Sequence, residues 1–168
     1  MVKRGRFKIM ADSFESISIA DIPESHPVLR FDAFWRAATK DNKSVNWEDF
    51  NPMEMAPVLP WMLVLDCLPD NDYMFRVSGT GCEMIFDRKL TGSKFSDQVE
   101  KSWAKARYED LLAVKSGAGP LYAKGNLPVK GRDHVKIFRG LYGFTSGGIE
   151  IDRLVVVVAP PSPSPIAL

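Results

Sequence analysis

Apolar residues run almost unbroken from Trp61 to Leu68, interrupted by Asp66, and then alternate with polar ones from Tyr73 to Ser78. The first pattern predicts a strand covered on both faces, the second a strand with one buried face. Between them, Pro69-Asp70-Asn71-Asp72 is turn chemistry, because Pro presets φ and Asp and Asn side chains bond their own backbone. In the second strand a period of two puts Tyr73, Phe75 and Val77 on one face and Met74, Arg76 and Ser78 on the other. The rest of the chain is organised around this hairpin.

Before the hairpin, residues 1–25 lack sustained periodicity and are expected to form a flexible tail, with an extended piece at Ser16–Ile22. His26–Lys40 reads as a helix with Phe31, Phe34, Trp35 and Ala38 on one face at i, i+3, i+4 and i+7. Asn51-Pro52 starts a second, short helix, with Asn as N-cap, Pro in the first helical position and Glu54 where a capping-box acid belongs. Pro60 stops it. After the hairpin, Cys82–Phe86 is a short helical run, and Asp87–Phe95 a loop that turns at Gly92. Ser96 is expected to cap a longer helix that ends near Ser116, before Gly117.

Three strands close the chain, Pro120–Leu127, His134–Phe144 and Ile149–Ala159. The last contains Leu154 to Val158, apolar on both faces, which predicts a central position in the sheet. Residues 161–168 are Pro-rich and expected to be a disordered tail. The order is helix, helix, two strands, a helical segment, three strands. It predicts an α+β domain over residues 26–160: a five-stranded antiparallel sheet with a helical insertion between strands two and three, preceded by N-terminal helices. The insertion covers one face, and the Phe31–Ala38 helix is available for the other face or for a partner.

Composition narrows the function classes. The chain has 168 residues, enough for one domain with a real core, and a net charge of +1 with both signs interspersed, which gives no electrostatic case for nucleic acid or a membrane surface. No apolar run reaches membrane-spanning length, and the basic N-terminus is not followed by the apolar stretch of a signal peptide. Two cysteines make no disulfide framework, so a reducing cytoplasm is the expected compartment.

The motifs Asp49-Phe50-Asn51-Pro52, Leu59-Pro60, Leu65-Asp66, Phe75-Arg76-Val77-Ser78-Gly79-Thr80 and Leu90-Thr91-Gly92 follow one another in order. Together with the order of elements they resemble a family of small stand-alone bacterial PAS-like proteins, long carried as a domain of unknown function. The resemblance covers about Leu29 to Ala159. It implies a PAS-like fold and a sensory or ligand-binding module rather than an enzyme. Fold alone does not license function, so the site is argued separately.

Chemistry-bearing residues are few. The two histidines, His26 and His134, read as surface groups with no nucleophile nearby in sequence, and with Cys67 and Cys82 they lack the spacing of a metal site. Gly79-Thr80-Gly81 has the spacing of neither phosphate-loop motif and reads as turn glycines. Within the resemblance, Gly79 to Gly119 contains no His for haem, and the Cys-containing motif of a flavin photosensor is absent. Haem and flavin are therefore argued against, and no other cofactor is specified. What remains is an apolar cavity between sheet and insertion. Its expected lining is Phe75, Val77, Cys82, Phe86, Phe95, Trp103 and Tyr122, with Ile137 or Phe138 and Arg139 from the next strand. Arg76 and Arg139 are the polar residues to watch, either as ligand clamps or as partners of Asp66 or Asp152.

Two functions compete. In one, a small molecule binds the cavity and the signal passes to a partner protein, since no output domain is recognisable in the chain. In the other, the core is filled and the protein is an interaction or dimerisation module, whose contact is either the Phe31-Phe34-Trp35 face or the outer sheet face with Tyr142 and Phe144. In either, Phe31, Phe34 and Trp35 are expected to form a homodimer interface.

Overall fold

The computed structural model describes residues 14–99 and 101–163, and for residues 101–103 the backbone alone. A sheet of seven strands separates two helical layers. Its strands are β1 (Glu15–Ile17), β2 (Val45–Asn46), β3 (Met62–Cys67), β4 (Tyr73–Ser78), β5 (Leu121–Asn126), β6 (Lys136–Thr145) and β7 (Arg153–Ala159). The spatial order is β1-β5-β6-β7-β3-β4, antiparallel throughout, and β2 adds a short parallel pairing to β6. The five expected strands are all present, with β7 between β6 and β3, as its two-sided apolar run requires. The two short strands are additions. Strand β1 pairs with the edge of β5, Glu15 opposite Lys124 and Ile17 opposite Tyr122. The expected N-terminal tail is corrected for residues 14–25, which are built into the domain. Ser18 and Asp21 form a reciprocal capping box there. Residues 1–13 and 164–168, the rest of the two expected tails, lie outside the described residues.

Helix α1 (Pro27–Ala38) covers one face of the sheet. His26 is its N-cap: Nδ1 accepts from the Val28 N–H, and Pro27 occupies the first helical position, where a missing N–H costs nothing. The apolar stripe predicted from periodicity is real, but it faces inward. Phe31 and Trp35 are fully buried, with Phe31 packed on Tyr142 and Phe144 and the Trp35 Nε1–H donating to Gly143 O at 3.1 Å. The expectation that Phe31, Phe34 and Trp35 form a dimer face is thereby corrected. Burying an aromatic side chain stabilises by about 2–3 kcal/mol, and here the chain's own sheet supplies the surface. Phe34 is partly buried against Phe31 and Phe50.

The other face carries α2 (Thr80–Phe86), the short α3 (Phe95–Gln98) and α4 (Lys101–Lys115). The sequence predicts one helix capped by Ser96. The chain instead breaks at Val99, which is extended, and Ser96 lies inside α3 with its hydroxyl donating to Asp72. Asp72 also accepts from Tyr73 N–H (2.8 Å), Ser96 N–H (3.2 Å) and Tyr108 OH (3.2 Å), so one carboxylate ties the hairpin turn to α3 and α4. The Asn51-Pro52 segment forms a 3-10 turn, Pro52–Met55, with the Asn51 side chain accepting from Met53 N–H as expected of an N-cap. Gly79 and Gly81 are packing glycines. A Cβ on Gly79 would come within 2.4 Å of the Leu59 and Pro60 carbonyl oxygens, and one on Gly81 within 2.7 Å of the Trp61 ring. This supports reading them as part of the strand-to-helix turn.

Candidate ligand pocket

Strand register decides which side chains meet on the α2–α4 side. Leu63 pairs with Val156 and Leu65 with Leu154, while Val156 also faces Leu141 and Val158 faces Arg139. Leu63, Leu65, Leu141, Val156 and Val158, with Arg139, Ile137 and Phe75, make the floor of a cavity of about 100 Å³ between sheet and helices. Phe86, Leu90, Phe95 and Leu111 form its roof. Arg88, Gln98, Arg107 and Phe14 complete the lining. No Asp or Glu side chain is among the described residues that line it.

The residues expected in the lining fall in different places. Phe75, Phe86, Phe95 and Arg139 come together in this cavity. Val77 does not. Val64 pairs with Val77 but Leu65 pairs with Phe75, so Arg76 is an extra residue on β4, a bulge that turns Val77 to the opposite face and leaves it 45% exposed. Arg76 itself points to solvent and pairs with Asp66 at 3.2 Å, the ion-pair alternative foreseen for it. Asp66 also holds Arg153 at 2.8 Å.

Tyr122 and Phe138 are also corrected. Tyr122 pairs with Gly140, which lies between the cavity-facing Arg139 and Leu141, so its side chain emerges on the α1 face. There its hydroxyl donates to Asp32, which accepts from Tyr142 OH at 3.1 Å as well. Phe138 is on that same face, edge-on to His26. Ile137 takes the cavity position. Cys82 is fully buried beside the cavity rather than in its wall, and burial pushes its thiol far above the ordinary range, so it is a small core residue and not a nucleophile. Trp103 lies outside the residues whose side chains are described.

Two contributors escape sequence reasoning. Phe14 belongs to the segment expected to be a tail. Arg107 had a visible signal: Ala104, Arg107, Leu111 and Val114 share one helical face, and all four are buried, so a charge sits on the apolar stripe of α4. The Arg139 guanidinium reaches Asp110 with Nη2 at 2.8 Å, and Arg107 Nη2 lies 3.6 Å from the same carboxylate. Both guanidiniums lie over the Phe14 ring, at 4.5 Å for Arg107 and 5.4 Å for Arg139. Gly125 makes room for that ring: a Cβ there would come within 2.9 Å of it.

An antiparallel sheet that carries its helical insertion, and a pocket, between the second and third long strands is the arrangement the motifs implied. A family model described as PAS domain matches residues 24–136. The chain belongs to the PAS domain family. The match spans α1 through β5, and β6 and β7 complete the sheet beyond it. No curated protein and no solved structure matches the chain. PAS domains are non-catalytic sensory modules, and this PAS domain has no group of three or more His, Cys, Asp or Glu side chains placed to hold a metal among the described residues. No helix among those residues is long and apolar enough to cross a membrane.

His26 is buried, not a surface group as expected, with Nε2 donating to Ala159 O at 3.1 Å. His134 is exposed. Burial holds the Cys67 thiol up at about 11, so it is protonated at neutral pH.

Proposed function

We propose that this PAS domain is a cytoplasmic sensory module that binds a small molecule in the cavity between sheet and helices and passes the state of that cavity to a partner protein. The observation that carries the reading is the lining: apolar on floor and roof, with a few convergent polar side chains at one side. Small-ligand sites are usually built this way. A core selected only for packing would place aliphatic side chains where Arg107 and Arg139 stand. The competing reading as a filled interaction module drew on an exposed Phe31-Phe34-Trp35 face or a sheet face with Tyr142 and Phe144, and burial of Phe31, Trp35, Tyr142 and Phe144 weakens it. The cytoplasmic compartment is supported by two free thiols.

Native mass spectrometry of freshly purified protein tests the proposal against the denatured mass. The expected result is a species heavier than the chain that vanishes on denaturation, and that is lost in Leu141→Trp, which fills the cavity. A chain that carries nothing, and whose backbone amides around the cavity stay unmoved by a library of small fragments in NMR, would overturn it.

A further inference from the structure

We infer that the ligand is a small organic anion, an apolar body of about five or six carbon atoms with a carboxylate held by Arg139 and Arg107. The inference rests on the pocket being a ligand site and adds the charge and size of what enters it. Size comes from the cavity, about 100 Å³ of apolar space. An apolar cavity of roughly 150 Å³ accepts a benzene, so a body slightly smaller, or one that moves the Phe14 ring aside, fits here.

The charge comes from Arg139. It lies mid-strand in β6, 8% exposed, with apolar neighbours Ile137 and Leu141 on its own face. One arm of its guanidinium, Nη2, donates to Asp110. Its Nε is buried and has no hydrogen-bond partner among the described residues. A buried donor left unmade is costly, and an Nε paired with an Nη is the fork that a carboxylate fills with two parallel bonds. Arg107 lies against the same carboxylate of Asp110 and over the same ring, so both guanidiniums converge on one place. The Asp110 carboxylate holds that place on one side and the Phe14 ring on the other, and the π face of the ring is a weak substitute for a second anion. Among the described residues that line the cavity none is acidic.

The test uses two matched pairs of probes, hexanoate with hexanamide and benzoate with benzamide, titrated into the full chain and followed by NMR of the backbone amides. Each pair keeps shape and changes charge. In at least one pair the carboxylate is expected to bind about tenfold more tightly than the amide, as charge-assisted fork bonding implies, with shifts centred on β6 and α4. Arg139→Gln is expected to abolish that preference. Asp110→Asn, which removes the competing acid, is expected to strengthen carboxylate binding several-fold and keeps the test decisive if Arg139→Gln does not fold. Equal binding of acid and amide in the cavity overturns the anion assignment and leaves the pocket reading intact. A carboxylate preference that survives Arg139→Gln, or is unchanged or weakened by Asp110→Asn, puts the anion elsewhere and also overturns it. If neither pair moves the cavity amides, the anion assignment falls, and the fragment library and native mass decide the pocket reading.

Discussion

The Nε2 atom of His26 lies 3.1 Å from the carbonyl oxygen of Ala159, so the start of α1 is fastened to the last residue of the last strand. The other ring nitrogen accepts from Val28 N–H, which fixes the tautomer: Nδ1 bare, Nε2 protonated. Only the neutral ring does both jobs.

A pH dependence follows. Burial lowers the His26 pKa below its ordinary 6.5, against the raising effect of its bonds to the Ala159 and Pro160 backbone. The unfolded chain therefore takes up a proton that the folded chain refuses. The sign is that stability is fully present above about pH 6.5 and is lost as pH falls below it, at no more than about 1.4 kcal/mol per pH unit for one proton. Urea unfolding at pH 7.5 and 5.5 should show a larger drop for wild type than for His26→Asn, which keeps a capping side chain but does not titrate. Equal drops would remove His26 from the account.

Asp32 is the second buried hub. It accepts from the hydroxyls of Tyr122 and Tyr142 and lies 3.6 Å from Arg36. Burial first, then the hydrogen bond to Asp32, pushes Tyr122 up to about 12, so this phenol is a donor at any physiological pH. Asp32→Ala leaves two phenols without their acceptor and should cost about 2–4 kcal/mol, a fall in Tm of about 5–15 °C for a chain of this size. Tyr122→Phe should cost about 1 kcal/mol and leave ligand affinity unchanged, because Tyr122 is on the far side of the sheet from the cavity. A Tyr122→Phe protein that is stable but fails to bind would reverse that placement.

What was legible in the sequence divides along physical lines. Period-two and period-3.6 patterns located five strands and α1, because burial of one face writes itself into the order of residues. The inward direction of Phe31 and Trp35 was not legible, since a helix stripe looks the same whether its own sheet or a partner covers it. For the pocket, pattern alone reached Phe75, Phe86, Phe95 and Arg139. It failed at Val77, where one inserted residue reverses the faces, and at Tyr122 and Phe138, where pairing register rather than composition sets direction. Arg107 stood in plain view as a charge on the buried stripe of α4. Strand β1 is three residues long and too short to carry a period.

The bulge at Arg76 makes its own prediction. Phe75 is buried in the cavity floor, and Val77, two residues on, is half exposed on the other face. Without the bulge the two would be equivalent. Phe75→Ala should cost about 3–5 kcal/mol, and Val77→Lys no more than about 0.5 kcal/mol. Paired denaturation curves decide it: comparable losses at the two sites would mean that β4 runs unbroken and that Val77 does face the cavity.

Asp72 fastens the roof of the cavity. Its carboxylate receives Ser96 and Tyr108 from α3 and α4 and the Tyr73 N–H from its own strand. Burial alone would raise its pKa, but the bonds from Ser96, Tyr73 and Tyr108 outweigh it and hold it below the ordinary value. A depressed carboxylate pKa stabilises the fold above the unfolded value near 4, and the contribution disappears as pH falls through the folded value. Asp72→Asn keeps the size and loses the charge, and should cost about 1–2 kcal/mol at pH 7, a cost that narrows as pH falls below about 4. Because Phe95 on α3 is a roof residue, hydrogen exchange of α3 amides in Asp72→Asn should accelerate before that of β6 or β7. If α3 exchanges no faster than in wild type while global stability falls, Asp72 supports the hairpin turn alone, and the roof is held by its apolar contacts.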